Sequence, residues 1–483
     1  MKKMEKSLLT LNEVLSAVDG IHVLGGNNFF FSSVQTDSRN VEKNTLFVPL
    51  IGENQDGHIY CQAACQKGAS VIFIAKANFE KEPSVFVDLS KDFPDVYFIA
   101  VENTLTALQN AAEAYVEKFP SLIKIAVTGS SGKTTTKEIL ASILKQKYKV
   151  ITNKGNFNSE TGLPLSVFNI RQDDQVGLFE MGMNRQNEIG EISKVLKARY
   201  ALVTNIGTAH IGKLGSRENI AREKCKVFDY LNSFGCGFIP QDDDFVSFMK
   251  DYIDGNGHVI CYGDGCDPNV KFLEDRGLDG SLIQIGDFKA LLTLPGKYNY
   301  KNALGAIALA KHLSLTDQEI ARGIEELKAM FGRSQVLHGK YTVLQDCYNA
   351  NPDSMEKAID FVSSVTSSCK KIFVLGDMLE LGESSFKDHQ AVGKQALSSS
   401  ADMVIFIGKE MKAAFDAAES GNSTDGKSSS KIFKYFEGHS DADIEKACSV
   451  IKDFAGEKDI LLVKASRGMG LERIRENLEG KNN

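Results

Sequence analysis

Apolar residues in this chain fall into short runs separated by polar, glycine-bearing breaks, and the runs follow two periods. Ile123 to Val127 is an apolar run rich in β-branched residues, broken by Lys124, of the kind a buried strand needs. After a glycine turn, Ile139, Leu140, Ile143 and Leu144 recur at the spacing of one helix face. Strand-like runs return at 150–151, 176–180 and 201–204, with amphipathic segments between them, including 216–231. Two alternating segments around Gly286-Asp287, within 281–294, predict a hairpin. The alternation restarts beyond Phe331-Gly332-Arg333, with strands expected at 341–345, 371–375, 403–407 and 460–463. Before residue 98 the signals are shorter: helix then strand over 8–23, and strands at 29–34, 71–74 and 85–87. The pattern predicts an α/β chain of three domains. A small α/β unit would occupy 1–98, a central unit with a mostly parallel sheet 99–331, and a doubly wound, Rossmann-like unit 332–483.

Length supports that division, because 483 residues exceed what one core usually organises. The chain is 42% hydrophobic and 25% charged with net charge −7, which describes a soluble globular protein without a strong field for nucleic acid or anionic membrane. No apolar stretch approaches the length needed to span a bilayer, and residues 1–10 lack a secretory core, so a cytoplasmic protein is expected. Nine cysteines without a CxxC pair argue against a disulfide framework, and Cys61 and Cys65, four apart, are expected to share a helix face. Residues 420–430 form a serine and glycine stretch expected to be a loop.

The chemistry concentrates at strand ends. Thr128-Gly-Ser-Ser-Gly-Lys-Thr-Thr135 lies between strand and helix, the order a phosphate cradle requires. Gly129 and Gly132 let the backbone amides around Ser130 and Ser131 turn toward one anion, Lys133 reaches the outer phosphates, and Thr134, beside Thr135, can ligate magnesium. The loop is short: four positions separate Gly129 from Lys133 where the common motif has six, and Val127 stands at the position of the distant glycine. The competing reading is a plain glycine turn capping a helix. Glu180 ends a strand beside this loop and is placed to hold magnesium; His210, five residues past Asn205, is a candidate second metal contact.

Other positions carry two readings. Asp37 and Arg39 offer either a phosphate fork or a turn with a local ion pair. Lys224 by itself reads as a surface helix lysine, and Asn299 and Asn302 as helix caps, although amides can also read an adenine edge.

Together the segments at 36–39, 46–58, 128–135, 180–184, 205–210, 294–302, 332–333, 346–355, 376–382 and 464–469 resemble the Mur ligase family, the ATP-dependent amide-forming enzymes of peptidoglycan precursor synthesis. Within it the likeness is to members that add D-alanyl-D-alanine to UDP-N-acetylmuramoyl-tripeptide. The resemblance implies an acyl-phosphate route and assigns roles. The loop from Gly129 to Thr135 would cradle ATP, with Thr134 and Glu180 on one magnesium ion, and His210 with a carbamylated Lys224 on a second. Asn299 and Asn302 would lie near the base, while Arg333 and Asp346 would reach ATP from the last domain. Ser38 and Arg39 would meet the UDP-sugar phosphates, Asn158 and Glu160 the incoming peptide, and Asn349, Asn351 and Ser354 the dipeptide. A monomer without nucleic-acid or membrane partners is expected. Three positions depart from the family pattern: Ala465 replaces a glycine, Lys226 an acidic residue and Asn103 an aspartate.

Three other readings compete. The first is a sister ligase adding the third amino acid, or a folylpolyglutamate-type ligase; a diaminopimelate-adding sister would carry Asp-Asn-Pro-Arg where this chain has Asn351-Pro-Asp-Ser354. A catalytically silent Mur-like subunit should have lost Lys133, Glu180, His210 or Lys224, all present here. A P-loop kinase or transport ATPase would not predict residues 346–355.

Overall fold

Strands that are apolar along most of their length are satisfied only with both faces covered, and such runs form the centres of three of the sheets in the computed structural model, which describes residues 6–328, 330–424 and 431–479. The first sheet takes β1 (Ile21–Leu24), β2 (Ser33–Gln35), β3 (Thr45–Phe47), β4 (Ala69–Ala75) and β5 (Tyr97–Val101) in the order β1-β5-β4-β3-β2, with β1 antiparallel. Two expectations change here. Only the end of the 29–34 run is strand, and Val85 to Val87 lie in the helix Pro83–Asp92. Pro83 at the first helical turn sets φ for a helix, and Phe86 and Leu89, three apart, are its buried face. β5 runs through residue 98, so a division placed there would split the strand.

The second sheet is parallel throughout: β6 (Ile123–Thr128), β7 (Val150–Thr152), β8 (Val176–Glu180), β9 (Tyr200–Val203), β10 (Cys236–Pro240) and β11 (His258–Tyr262), ordered β11-β10-β9-β6-β8-β7. The chain leaves β6 for one side of the sheet and returns to the other, so a crevice opens at the carboxyl end of β6. A small antiparallel sheet follows, β12 (Val270–Asp275), β13 (Ser281–Ile285) and β14 (Phe288–Leu292), and Gly286 at φ 56° turns the expected hairpin.

The last sheet comprises β15 (Gln335–His338), β16 (Thr342–Asp346), β17 (Lys371–Gly376), β18 (Met403–Ile407), β19 (Ile432–Phe436) and β20 (Ile460–Lys464), ordered β15-β16-β20-β17-β18-β19 and parallel except for β15. Hydrophobic clusters cover both its faces, as a doubly wound sheet requires. Of the loop expected at 420–430, residues up to 424 belong to the helix Met411–Thr424, while 425–430 lie outside the described residues. Among the described residues no helix is long and apolar enough to cross a membrane.

One cluster of buried side chains joins Leu9 and Val14 to Val71, Ile99, Leu108, Phe179 and Val203. It runs unbroken from one face of the first sheet into the second. The last sheet keeps cores of its own.

Candidate functional site

The carboxyl end of β6 feeds Thr128 into the glycine loop, and the helix Lys133–Leu144 begins at its far end. Gly129 adopts φ 149° and Gly132 φ 78°, conformations open to glycine. A Cβ on Gly129 would stand 1.8 Å from Thr204 Oγ1. Ser130 and Ser131, however, do not hold their amides free: both donate to Asn205 Oδ1, at 3.1 and 3.0 Å. The first turn of the helix, Gly132 to Thr135, is therefore the part of the loop that opens to the adjoining cavity with its amides unspent. Sequence reasoning named Asn205 only as part of a motif; its place directly after β9, beside the phosphate loop, was the available signal. Replacing Asn205 with alanine strips an acceptor from two amides and is expected to weaken nucleotide binding about tenfold, measured by titration calorimetry.

Lys133 Nζ donates to the Gly129 carbonyl at 2.8 Å, and Lys224 Nζ reaches the same oxygen at 2.9 Å. Lys224 is buried at 1% exposure, which overturns its reading as a surface lysine. The helix Arg217–Cys225 turns this residue inward because Ile220, Ala221 and Lys224 fall on one face. Burial, followed by the Lys133 charge, holds its amine well below the usual lysine range. Lys133 is lowered too, by burial first and by Arg333.

Glu180 closes β8 and is buried; its Oε2 accepts from Thr134 Oγ1 at 2.5 Å and its Oε1 from Asn158 Nδ2 at 2.7 Å. Asn158 thus touches the carboxylate. Glu160 instead has its carboxylate held by Arg185 and lies outside the cavity lining. His210 adopts φ 66°, and burial, then Lys133, Lys224 and Lys213, push its imidazole down to about 3. Its Nδ1 is buried without a hydrogen bond, although Glu380 Oε2 stands 3.5 Å away. A neutral imidazole with an unspent nitrogen is suited to a cation.

The last sheet supplies the opposite wall. Asp346 and Lys464 end the paired strands β16 and β20 in register, and Lys464 Nζ sits 2.6 Å from Asp346 Oδ2. Lys464 is itself buried, and its role went unread although its strand end was noted. The Arg333 guanidinium lies 4.0 Å from the Tyr348 ring centre, with Arg467 on the same ring at 6.0 Å and on Phe331 at 5.2 Å. These make a flat, cationic wall.

One cavity of about 700 Å³ takes in Lys133, Thr134, Asn158, Glu180, His210, Asn299, Asn302, Arg333, Asp346, Asn349, Asn351 and Ser354. Ser38 and Arg39 are not among its lining residues. Asp37 grips the Arg39 guanidinium, with Arg39 NH2 2.7 Å from Oδ2, so the local ion pair is what forms there. Asn299 and Asn302 are not caps: Gly296 occupies the cap position of the helix Lys297–His312, and both asparagines lie inside it. Asn299 donates to the Pro295 carbonyl at 2.8 Å, and Asn302 abuts Gly132. Asn351 and Ser354 cap the helix Pro352–Ser364 reciprocally, spending part of their polarity on each other.

The departures from the family pattern are accommodated. Asn103 caps the helix Thr104–Val116 by accepting from Thr106 N, as an aspartate would. Lys226 is held by Glu223 and Asn187, and Ala465 is buried against Gly376.

A metal fits the donor set. Thr134 and Glu180 offer hard oxygens side by side, while among the described residues no group of three His, Cys, Asp or Glu side chains could hold an ion alone. That sparse set is the habit of magnesium bound jointly with phosphates and water.

The sequence matches three family descriptions in order: "Mur ligase family, catalytic domain" over 31–121, "Mur ligase middle domain" over 127–310, and "Mur ligase, glutamate ligase domain" over 332–467. It is 38% identical over 468 residues to the UDP-N-acetylmuramoyl-tripeptide–D-alanyl-D-alanine ligase of Treponema pallidum, covering 97% of this chain and 98% of that protein. The enzyme of the same description from Bacillus subtilis is 31% identical, with 92% of each chain covered. Among solved structures, MurF from Acinetobacter baumannii matches with a TM-score of 0.83 at 27% identity, covering 97% of this chain and 98% of that one. MurF ligase from Thermotoga maritima in complex with ADP matches the fold with a TM-score of 0.75 at 24% identity, covering 93% and 97%.

Proposed function

This chain belongs to the Mur ligase family, and from that premise we propose that it is the ATP-dependent ligase that joins D-alanyl-D-alanine to UDP-N-acetylmuramoyl-tripeptide. The observation that carries the reading is the shared cavity, where the phosphate loop, Glu180 and His210 face Arg333, Asp346 and Asn349 from the last unit. An amide made from a carboxylate needs an activated acyl group and an amine brought to it from outside. Two facing walls supply the two approaches.

In the first step the terminal carboxylate oxygen of the tripeptide attacks the γ-phosphorus of ATP, the bond to the bridging oxygen of ADP breaks, and an acyl phosphate forms. The dipeptide amine then attacks the acyl carbon, loses a proton, and expels inorganic phosphate. Lys133, now resting on the Gly129 carbonyl, would exchange that oxygen for those of the γ-phosphate, moving positive charge to where negative charge gathers. Arg333 adds a second cation from the opposite wall. Asn299 and Asn302, in the helix Lys297–His312, flank the loop on the side where the base would lie.

Thr134 and Glu180 would hold one magnesium ion, and His210 with a modified Lys224 a second; bound there, the metal screens the phosphate charges from the attacking carboxylate. Burial lowers the proton affinity of Lys224 and so raises the share of its neutral amine, the form that adds carbon dioxide, forming an N–C bond and losing a proton to become a carbamate. An anion beside Lys133 and His210 then replaces a cation that would repel metal.

The first unit, with Ser38 and Arg39, would bind the UDP-sugar, and the loop carrying Asn158 and Glu160 would lead its peptide inward. The last unit would seat the dipeptide near Asn349, Asn351 and Ser354. A cytoplasmic monomer fits soluble nucleotide-linked substrates.

The test is phosphate release from magnesium-ATP with UDP-N-acetylmuramoyl-tripeptide, with and without D-alanyl-D-alanine. Release that requires the dipeptide and yields the pentapeptide nucleotide is the expected result. Turnover only with the dipeptide nucleotide and a free diamino acid would move the assignment to the sister ligase.

A further inference from the structure

The loop that carries His210 is held from both sides. On one side Gly207 N donates to Ser130 Oγ of the phosphate loop at 2.8 Å; on the other Thr208 N donates to Asp353 Oδ2 at 3.1 Å. Asp353 belongs to the last unit, in the first turn of the helix Pro352–Ser364, which presents Asn351 and Ser354 to the cavity. The approach is close. A Cβ on Gly207 would stand 2.3 Å from Asp353 Oδ2 and 3.3 Å from Ser130 Cβ, so the segment passes between the carboxylate and the serine with no room for a side chain. Three residues beyond Gly207, His210 holds its left-handed conformation and neighbours Glu380, again from the last unit.

We infer that Asp353 is a positioning residue for ligation: it clasps the His210 loop only when the last unit is docked, and through Gly207 and Ser130 it sets the phosphate loop for that docked state. Three groups lie in series across one interface. The carboxylate touches neither nucleotide nor reacting carboxyl in this scheme. Its work is to make the arrival of the helix that seats the amine and the alignment of the metal and phosphate side chains a single event. An aspartate in the first turn of a helix also stabilises that helix through its dipole. That role would act on stability alone and leave turnover untouched.

The turnover arm rests on the ligase reading above, and a second arm does not. In the full-length protein, Asp353→Ala removes the acceptor, while Asp353→Asn keeps one. Asp353→Ala is expected to lower kcat for ligation tenfold or more, with KM for ATP and for the UDP-sugar substrate within twofold of the parent and a fall of only about 1–3 °C in melting temperature from the lost helix-dipole contact and hydrogen bond. Asp353→Asn should recover most of the loss. By hydrogen–deuterium exchange, the Thr208 amide should exchange at least tenfold faster in Asp353→Ala than in the parent. An Asp353→Ala protein with parental kcat, or with unchanged exchange across 205–212, overturns the clasp. A parent protein that fails to turn over the substrate pair, yet shows the exchange difference, would sink the ligase assignment and leave the clasp standing.

Discussion

Replacing Lys224 with methionine is expected to abolish ligation and, in bicarbonate-free buffer, to raise the melting temperature. The two effects share a cause. Lys224 is fully packed, its amine spends one hydrogen bond on a carbonyl that Lys133 also serves, and its proton affinity is depressed by burial and by that neighbouring cation. Below its ordinary value of 10.5 the unfolded chain keeps a proton that the folded chain resists, so folding carries a cost at neutral pH which fades as pH rises toward 10.5. Methionine fills similar volume with no charge to desolvate. A gain of about 1 kcal/mol, seen as roughly 2 °C in the first melting transition, is a modest expectation for removing such a group. Activity should fall by about 10³-fold or more if the carbamate holds metal at the phosphates. Adding bicarbonate should stabilise the parent, by turning repulsion with Lys133 into attraction, and leave the methionine variant unmoved. Full activity in that variant would remove Lys224 from the mechanism.

Gly129→Ala is the second change with a large expected effect. The glycine combines a left-handed backbone with contact against Thr204, whose Oγ1 would be 1.8 Å and backbone nitrogen 3.1 Å from the new carbon. Trimming Thr204 would not make room, since its Cβ is also within 3.0 Å. The loop must move, and with it the carbonyl on which both lysines rest. Displacements near 1 Å commonly cost about 10² in rate, so turnover should drop at least that far, with nucleotide affinity falling in parallel. The fold should persist, because β6 and the following helix are packed independently of this turn. Isothermal titration with ADP, set beside a melting curve, separates the two quantities; unchanged nucleotide affinity would argue that the loop does not hold phosphate.

How much of this was legible depended on the range of the cause. β8, β17, β18 and β20 declare themselves because a strand covered on both faces has to be apolar along its interior, with the charges of Glu180, Lys371 and Lys464 confined to strand ends. The hairpin at Gly286 declares itself through its turn. Val85 to Val87 misled because β-branching is a weak local preference, outweighed by Pro83 and by the packing of Phe86 and Leu89. β11, β12, β15 and β19 were missed, being edge strands of mixed polarity; β3, β5 and β10 are inner strands that were also missed, and in β10 Gly237 and Pro240 weaken the strand signal. At the site, Glu180 and His210 could be found because strand ends are where ligands gather. The depth of Lys224 could not: its helix has little apolar contrast, and only the tertiary fold turns that face inward. Nor did the sequence reveal that Asn351 and Ser354 would spend hydrogen bonds on each other, or that Asn205 would already occupy two amides of the phosphate loop.

The buried cluster that runs from the first sheet into the second has a consequence for how such chains can be recombined. Leu9, Val14 and Ile99 share an interior with Phe179 and Val203, so their shapes must change together or not at all. A chimaera that borrows the first unit from a relative would have to bring the facing central helices with it, whereas the last unit, with its own interiors, could be exchanged as a cassette provided the partner of Thr208 came along. Lineages are therefore freer to vary the last unit than the first two, whose shared interior ties them together.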